Sequence, residues 1–244
     1  MEDLLGAAAE KSRPIAMAGT RRLEVGGALG GLFPSGGIQR GSTVGVGSQA
    51  GVPGSVSLAL AVASGVMAGG SCSWAAAVGF PSLGLVAAAE LGVPLGRLAL
   101  VPAPGDSWPV VVASLLDGVD LVMLRPPARV RQSDARRLTA RVRERGSVLL
   151  VVETGAQQRW TESPDVRLDV DSASWVGLGA GHGNLRARRV EVVAGGRRLA
   201  GGRTRKVPLW LPGPDGCVEE VAAAELGQEL VVAGTAASAA SAAG

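Results

Sequence analysis

Between residues 42 and 152 five short apolar segments recur, separated by four stretches of helical length, and the apolar segments do not alternate with polar residues. Val148–Val152 reads VLLVV. A strand with one face in water alternates, whereas a strand covered on both faces does not. The expected strands are Ser42–Gly47, Ser71–Val78, Leu98–Val101, Val119–Leu124 and Ser147–Val152. The expected helices are Ser55–Ala68, Leu83–Leu91, Trp108–Leu116 and Ser133–Arg145. Strand and helix in strict turn predict an α/β fold, a mostly parallel sheet covered by helices on both faces.

After Val152 the texture changes. Val166–Val170, Arg188–Val193 and Arg205–Leu209 are separated by Gly-rich turns and predict an antiparallel extension of the sheet in the C-terminal third. Three segments result: an N-terminal helical segment 1–24, a core 25–212, and a C-terminal segment 213–244. The first holds an Ala-rich helix over 1–19 broken at Pro14. The last holds a helix over Cys217–Leu230 and an Ala/Ser/Gly tail. Aromatic residues make up only 3% of the chain and tyrosine is absent, so Gly, Ala and Val must fill much of the core. That favours close packing of helices on a sheet.

Ser133–Arg145 is the clearest helix. Ser133 is placed to cap it, Ala135, Leu138 and Val142 form one apolar stripe, and Gly146 ends it. Basic residues are clustered. Arg125–Arg145 holds eight Arg against Asp134 and Glu144, and Arg186–Lys206 holds eight basic residues against Glu191. Such clusters suit an anionic partner, nucleic acid or an acidic protein surface, or simply form solvated faces.

Cys72 and Cys217 have no metal or redox spacing, and a reduced, cytoplasmic chain is expected. The apolar run Val56–Ala68 is too short to span a bilayer. His182 is the single histidine and sits in a glycine turn, with no Ser/His/Asp set around it. Asp165, Asp169 and Asp171 read as strand-edge carboxylates rather than a metal site. Neither metal nor cofactor is expected.

The first strand-to-helix turn of such a sheet is the usual nucleotide site. Here it runs Gly47-Ser-Gln-Ala-Gly51-Val-Pro-Gly54-Ser55-Val56-Ser57. A working phosphate loop needs G-x-x-x-x-G-K-[ST], with Lys on the β/γ oxygens and a hydroxyl on Mg²⁺. This stretch has the glycines and the following helix. It has Ser55 in place of the Lys and Val56 in place of the hydroxyl, and it is two residues too long.

Over roughly residues 25–210 the chain resembles RecA recombinases. The matching stretches are "GGALGGLFPSGGIQRGSTVGVGS", "GGSCSWAAAVGFPSLGLVAAAELGVPLGRLALVPAPGDSW", "GVDLVMLRPP", "SVLLVVET", "SPDVRLDV" and "ARRVEVVAGG". Carried across, the resemblance places the catalytic Glu on or beside Val78 and the Walker B Asp at Leu124 or Arg125. It places the phosphate-sensing pair at Glu153 and Thr154. Every active position is lost, which leaves no route to phosphoryl transfer. The two family DNA loops are cut to Arg125–Gln132 and Gly155–Ser163.

This pattern is similar to the ImuA-type proteins, in particular the actinobacterial ImuA′ branch. The resemblance implies a non-catalytic adaptor in SOS-induced mutagenesis and translesion DNA synthesis. Its partners would be an ImuB-type protein and, through it, an error-prone C-family polymerase and the sliding clamp, with RecA and weak DNA contact left open. The residues suited to DNA or partner contact are Arg129, Arg131, Arg136, Arg137, Arg141, Arg159 and Trp160. Two other readings stand beside it: a DNA-binding module acting through its Arg clusters, and an atypical ATP-dependent RecA-like enzyme.

Overall fold

The apolar segments assemble as strands because each can bury both of its faces at once. In a computed structural model the chain is described over residues 22–222, apart from 71, 156–157, 180–181 and 200–203. Two short strands, β1 (Arg22–Glu24) and β2 (Gly37–Gln39), pair antiparallel at one side. The main sheet follows: β3 (Thr43–Ser48), β4 (Ala75–Val78), β5 (Leu98–Val101), β6 (Leu121–Leu124), β7 (Val148–Val152), β8 (Val166–Gly179), β9 (His182–Gly195), β10 (Arg205–Trp210) and β11 (Glu219–Glu220). Their order across the sheet is β11-β10-β9-β8-β3-β7-β6-β4-β5. From β8 to β5 all neighbours run parallel; β8, β9, β10 and β11 pair antiparallel. The expected α/β sheet with an antiparallel C-terminal extension is what forms.

Four helices connect the parallel strands: α1 (Ser55–Ala68), α2 (Leu85–Glu90), α3 (Trp108–Gly118) and α4 (Gln132–Arg145). The strands divide their side chains between two cores. Val148, Leu150 and Val152 of β7 join α1, while Leu149 and Val151 join α3 and α4. This is why β7 carries no polar residue. α1 is itself covered on its far side by the 3-10 turn Gly27–Leu32, so its sequence SVSLALAVASGVMA holds no charge. The approach is tight at Gly65, where a Cβ would lie 3.1 Å from Val25 Cγ1.

Several boundaries differ from expectation. α4 starts at Gln132, and the amides of Asp134 and Ala135 donate to the Arg131 carbonyl, so Arg131 is the cap residue and Ser133 lies inside the helix. β4 begins at Ala75 because Ser73 N donates to Asp120 Oδ2 at 2.8 Å, holding Cys72–Trp74 as a loop. α2 is short, closed off by Gly92 at φ 88. No helix forms over 217–222. The turn at Gly213–Gly216 sends the chain back along β10, where Val221 N donates to the Pro208 carbonyl and Glu219–Glu220 pair as β11. Strand pairing there outweighs helical patterning. The N-terminal helix over 1–19, the rest of the helix expected to Leu230, and the tail lie outside the described residues. Among the described residues no helix is long and apolar enough to cross a membrane.

Candidate functional site

The loop Ser48–Gly54 joins β3 to α1 at the carboxyl ends of the strands, as the sequence places it. Gly51 (φ 79) and Gly54 (φ 143) take backbone conformations that suit glycine alone, and Gly54 caps α1 without a side-chain bond. Two loop amides are already spent. Gln49 N donates to the Val170 carbonyl at 2.9 Å, and Val52 N donates to Gln49 O at 3.0 Å. Ser55 is buried at the first position of α1. The loop borders an open cavity of about 800 Å³ whose far wall carries Glu153, Thr154, Arg159, Trp160 and Arg167.

Arg167 organises this site, and the sequence reading did not single it out. It sits on β8 opposite Gly45 of β3, and β3 lies between β8 and β7. With only hydrogen at Gly45 and Gly47, the Arg167 side chain lies across β3 and reaches Glu153 just beyond β7. A Cβ at Gly45 would come within 3.2 Å of Arg167 Cδ, and one at Gly47 would collide with its guanidinium. Nη1 meets Glu153 Oε2 at 2.5 Å, and Nε donates to both oxygens of Asp169 at 2.9 and 3.0 Å. Glu153 is further fixed by the Trp160 amide, which donates to Oε1 at 2.7 Å. Burial pulls the Arg167 guanidinium down, but its bonds to Asp169 and Glu153 outweigh that and hold it above the ordinary arginine range. The signal in the sequence is the alternation Val44-Gly45-Val46-Gly47: one face of β3 feeds the core and the other is kept bare.

One guanidinium between two carboxylates leaves a net negative cluster where a triphosphate would need cations. Val78 and Leu124 are fully buried apolar strand ends, with no group to polarise water or hold a metal. Arg125 and Thr154 are brought together: Arg125 Nε donates to Thr154 Oγ1 at 3.1 Å and to Gln158 Oε1 at 3.4 Å. Among the described residues no three His, Cys, Asp or Glu side chains are grouped to hold a metal. Asp165 is buried and accepts from Thr43 N at 3.0 Å and Arg198 Nε at 3.3 Å, and Asp171 pairs with Lys206 at 3.0 Å. All three aspartates singled out in the sequence are thus ion-pair partners.

The arginines expected to contact DNA or a partner divide into two groups. On α4, Arg136 pairs with Glu162 at 3.1 Å, and Arg141 and Arg145 both grip Asp117 of α3. Arg141 holds the Asp117 carboxyl below its usual range and is itself raised by that bond. These side chains staple α4 to α3. Arg137 is exposed and has no carboxylate partner among the described residues. Arg129 and Arg131 are exposed and lie with Arg125 along a separate groove at the ends of β4, β5 and β6. Arg159 is exposed at the lip of the loop cavity. Trp160 packs edge-on against Trp108, with ring centroids 6.4 Å apart.

Comparison with known proteins places this geometry. The family model described as the MT3502 N-terminal domain matches residues 31–161. An uncharacterized protein of Mycobacterium tuberculosis is 43% identical over 126 residues, which are 51% of this chain and 58% of that protein. The chain thus spans little more than half the length of that relative. The crystal structure of a KaiC-like protein from the hyperthermophilic archaeon Pyrococcus horikoshii superposes with a TM-score of 0.56 at 14% identity, over 83% of this chain and 99% of that one. At that identity the likeness is one of fold, and the fold is RecA-like.

Proposed function

The chain belongs to the family of the MT3502 N-terminal domain, and from that premise we propose that it is a non-catalytic, RecA-like adaptor of the ImuA′ type in damage-induced mutagenesis. It acts by holding an ImuB-type protein and, through it, an error-prone C-family polymerase and the sliding clamp, in the cytoplasm and without nucleotide turnover. The observation that carries this reading is the Arg167–Glu153–Asp169 cluster. The place where ATP would need a Lys and a metal is occupied by a self-satisfied ion network of net negative charge. A triphosphate brought there finds no Lys in the loop and meets Glu153, with Arg159 at the lip as the one cation not already paired among the described lining residues.

An adaptor also needs a surface to offer. β5 is the outer strand of the sheet, with one edge unpaired among the described residues. Leu100 on it is 41% exposed, Val86 on α2 is 73% exposed and Val110 on α3 is 61% exposed. An open strand edge that bears an exposed apolar side chain invites strand addition by a partner segment. The test is a pull-down of an ImuB-type protein by the full chain. Wild type retains the partner, and Leu100→Lys with Val86→Lys releases it while the urea midpoint stays put. Failure of wild type to retain it overturns the proposal.

The DNA-module reading draws less support, because three arginines of α4 are engaged with Glu162 and Asp117. The ATP-dependent reading meets the same cluster that motivates the adaptor.

A further inference from the structure

Six of the fourteen prolines of the chain line one open groove of about 1200 Å³: Pro81, Pro102, Pro104, Pro109, Pro126 and Pro127. It lies where the carboxyl ends of β4, β5 and β6 meet the start of α3, on the far side of Arg125 from the nucleotide-loop cavity. Proline has no backbone N–H and a fixed φ. A groove walled by prolines is therefore rigid before anything binds and poor in amide donors. Little ordering entropy is lost when a ligand is laid into it.

The charges over that wall are mixed. Arg125, Arg129 and Arg131 face the groove against Asp106 and Asp134. Arg129 and Arg131 are exposed and have no carboxylate partner among the described residues. Arg125 is held at the wall by the bonds of its Nε to Thr154 and Gln158. Trp108 lies beneath, only 7% exposed and turned edge-on to Trp160, so it offers no open ring face.

The geometry points to an extended, acidic–apolar peptide segment of a partner protein as the occupant of this groove. Three features favour it over a nucleic-acid strand. A peptide backbone brings N–H donors to a wall poor in donors, whereas a phosphate backbone brings only acceptors. A peptide can space its carboxylates to meet three guanidiniums and avoid two aspartates, whereas a strand carries a charge at every nucleotide. Among the described residues of this groove no aromatic face is exposed for a base to stack on, the usual anchor of single-stranded binding. Apolar side chains of the peptide pack on the pyrrolidine rings, and its carboxylates take charge-assisted bonds from Arg129 and Arg131. This deepens the adaptor reading and rests on it for its biological setting. It concerns a surface separate from the β5 edge, so the two fail separately.

The test is a random-peptide display selection on the full chain, followed by fluorescence anisotropy of the selected peptides. Peptides mixing Asp or Glu with apolar residues are expected. Their affinity drops at least about tenfold in Arg129→Glu/Arg131→Glu, and also in the milder Arg129→Gln/Arg131→Gln, while Leu100→Lys/Val86→Lys leaves it unchanged. Unchanged urea midpoints for the groove variants separate lost contact from lost fold. Selected peptides without acidic residues, or binding indifferent to both groove variants, overturn the proposal. So does an oligothymidine that binds this groove more tightly than any peptide and loses its affinity in the same variants. ImuB retention lost only through the β5 variants, with peptide binding intact, would leave the groove standing.

Discussion

Replacing Arg167 by Met removes the cation and keeps only the unbranched apolar stem of the side chain. Glu153 and Asp169 are then left facing each other, with Glu153 only 12% exposed and holding the Trp160 amide as its remaining partner. Breaking a buried ion pair by deleting one member costs about 3–5 kcal/mol, because the other charge stays desolvated and unpaired. The Arg167 side chain is 33% exposed, so water screens part of the interaction. The expected loss is therefore about 2–3 kcal/mol. For a chain of this size that lowers the melting temperature by about 4–12 °C. The assay is urea unfolding followed by tryptophan fluorescence, in which Trp160 reports on the cluster directly. Adding Glu153→Gln to Arg167→Met removes the stranded charge and should recover about 1–2 kcal/mol, a coupling only a shared network produces. A loss below about 0.5 kcal/mol, or simple additivity of the two changes, would refute the claim that the cluster is what fills the site.

Four further outcomes follow from the same structure. Gly45→Val, which puts a branched side chain beneath Arg167 Cδ, should expel the guanidinium and reproduce most of the Arg167→Met loss in the same urea assay. Arg188 is buried with Nη2 unpartnered, and burial pulls its pKa below the ordinary arginine range, so Arg188→Met should lower the unfolding free energy by less than about 1 kcal/mol or raise it, despite losing the Nε bond to the Leu211 carbonyl and the contact over Trp175. Burial, reinforced by the charge of Asp120, pushes the Cys72 thiol up to about 11 from 9.0. The folded chain then holds that proton more tightly than the unfolded chain, so stability is full below the unfolded value and falls as pH rises through the folded one; Cys72→Ala should flatten that alkaline fall. At neutral pH iodoacetamide should label exposed Cys217 and spare buried Cys72 until the protein is unfolded, as read by peptide mass.

The order of strands and helices to Val152 was legible because each parallel strand must be apolar on both faces, a demand that few sequences meet by chance. α4 was legible from Ala135, Leu138, Val142 and Gly146. Its start was misplaced because Ser133 looks like a cap, while the chain uses the Arg131 carbonyl instead. The length of β8 and β9 was hidden. Beyond Val170 the two strands pair mainly with each other, through register shifts near Asp171 and Gly177, so no core face continues the apolar pattern. The segment after Pro214 read as a helix because pairing with β10 through two residues leaves no periodic trace. At the site, the departures from the phosphate-loop pattern at Ser55 and Val56 were readable from single positions. The ion cluster that fills the site was not. Arg167, Glu153 and Gly47 are far apart in sequence and meet only because β8, β3 and β7 are neighbours in the sheet. Gly47 reads as the first glycine of a phosphate loop, whereas together with Gly45 it clears the path of a side chain.

On the reading proposed above, this RecA-like scaffold has exchanged a nucleotide for an internal ion cluster. Titration calorimetry of the full chain with ATP and Mg²⁺ tests it most directly. Wild type should give no heat of binding up to millimolar nucleotide, and ATP with Mg²⁺ should leave its unfolding midpoint unmoved. Saturable binding at micromolar nucleotide, with a rise in unfolding midpoint to match, would contradict it.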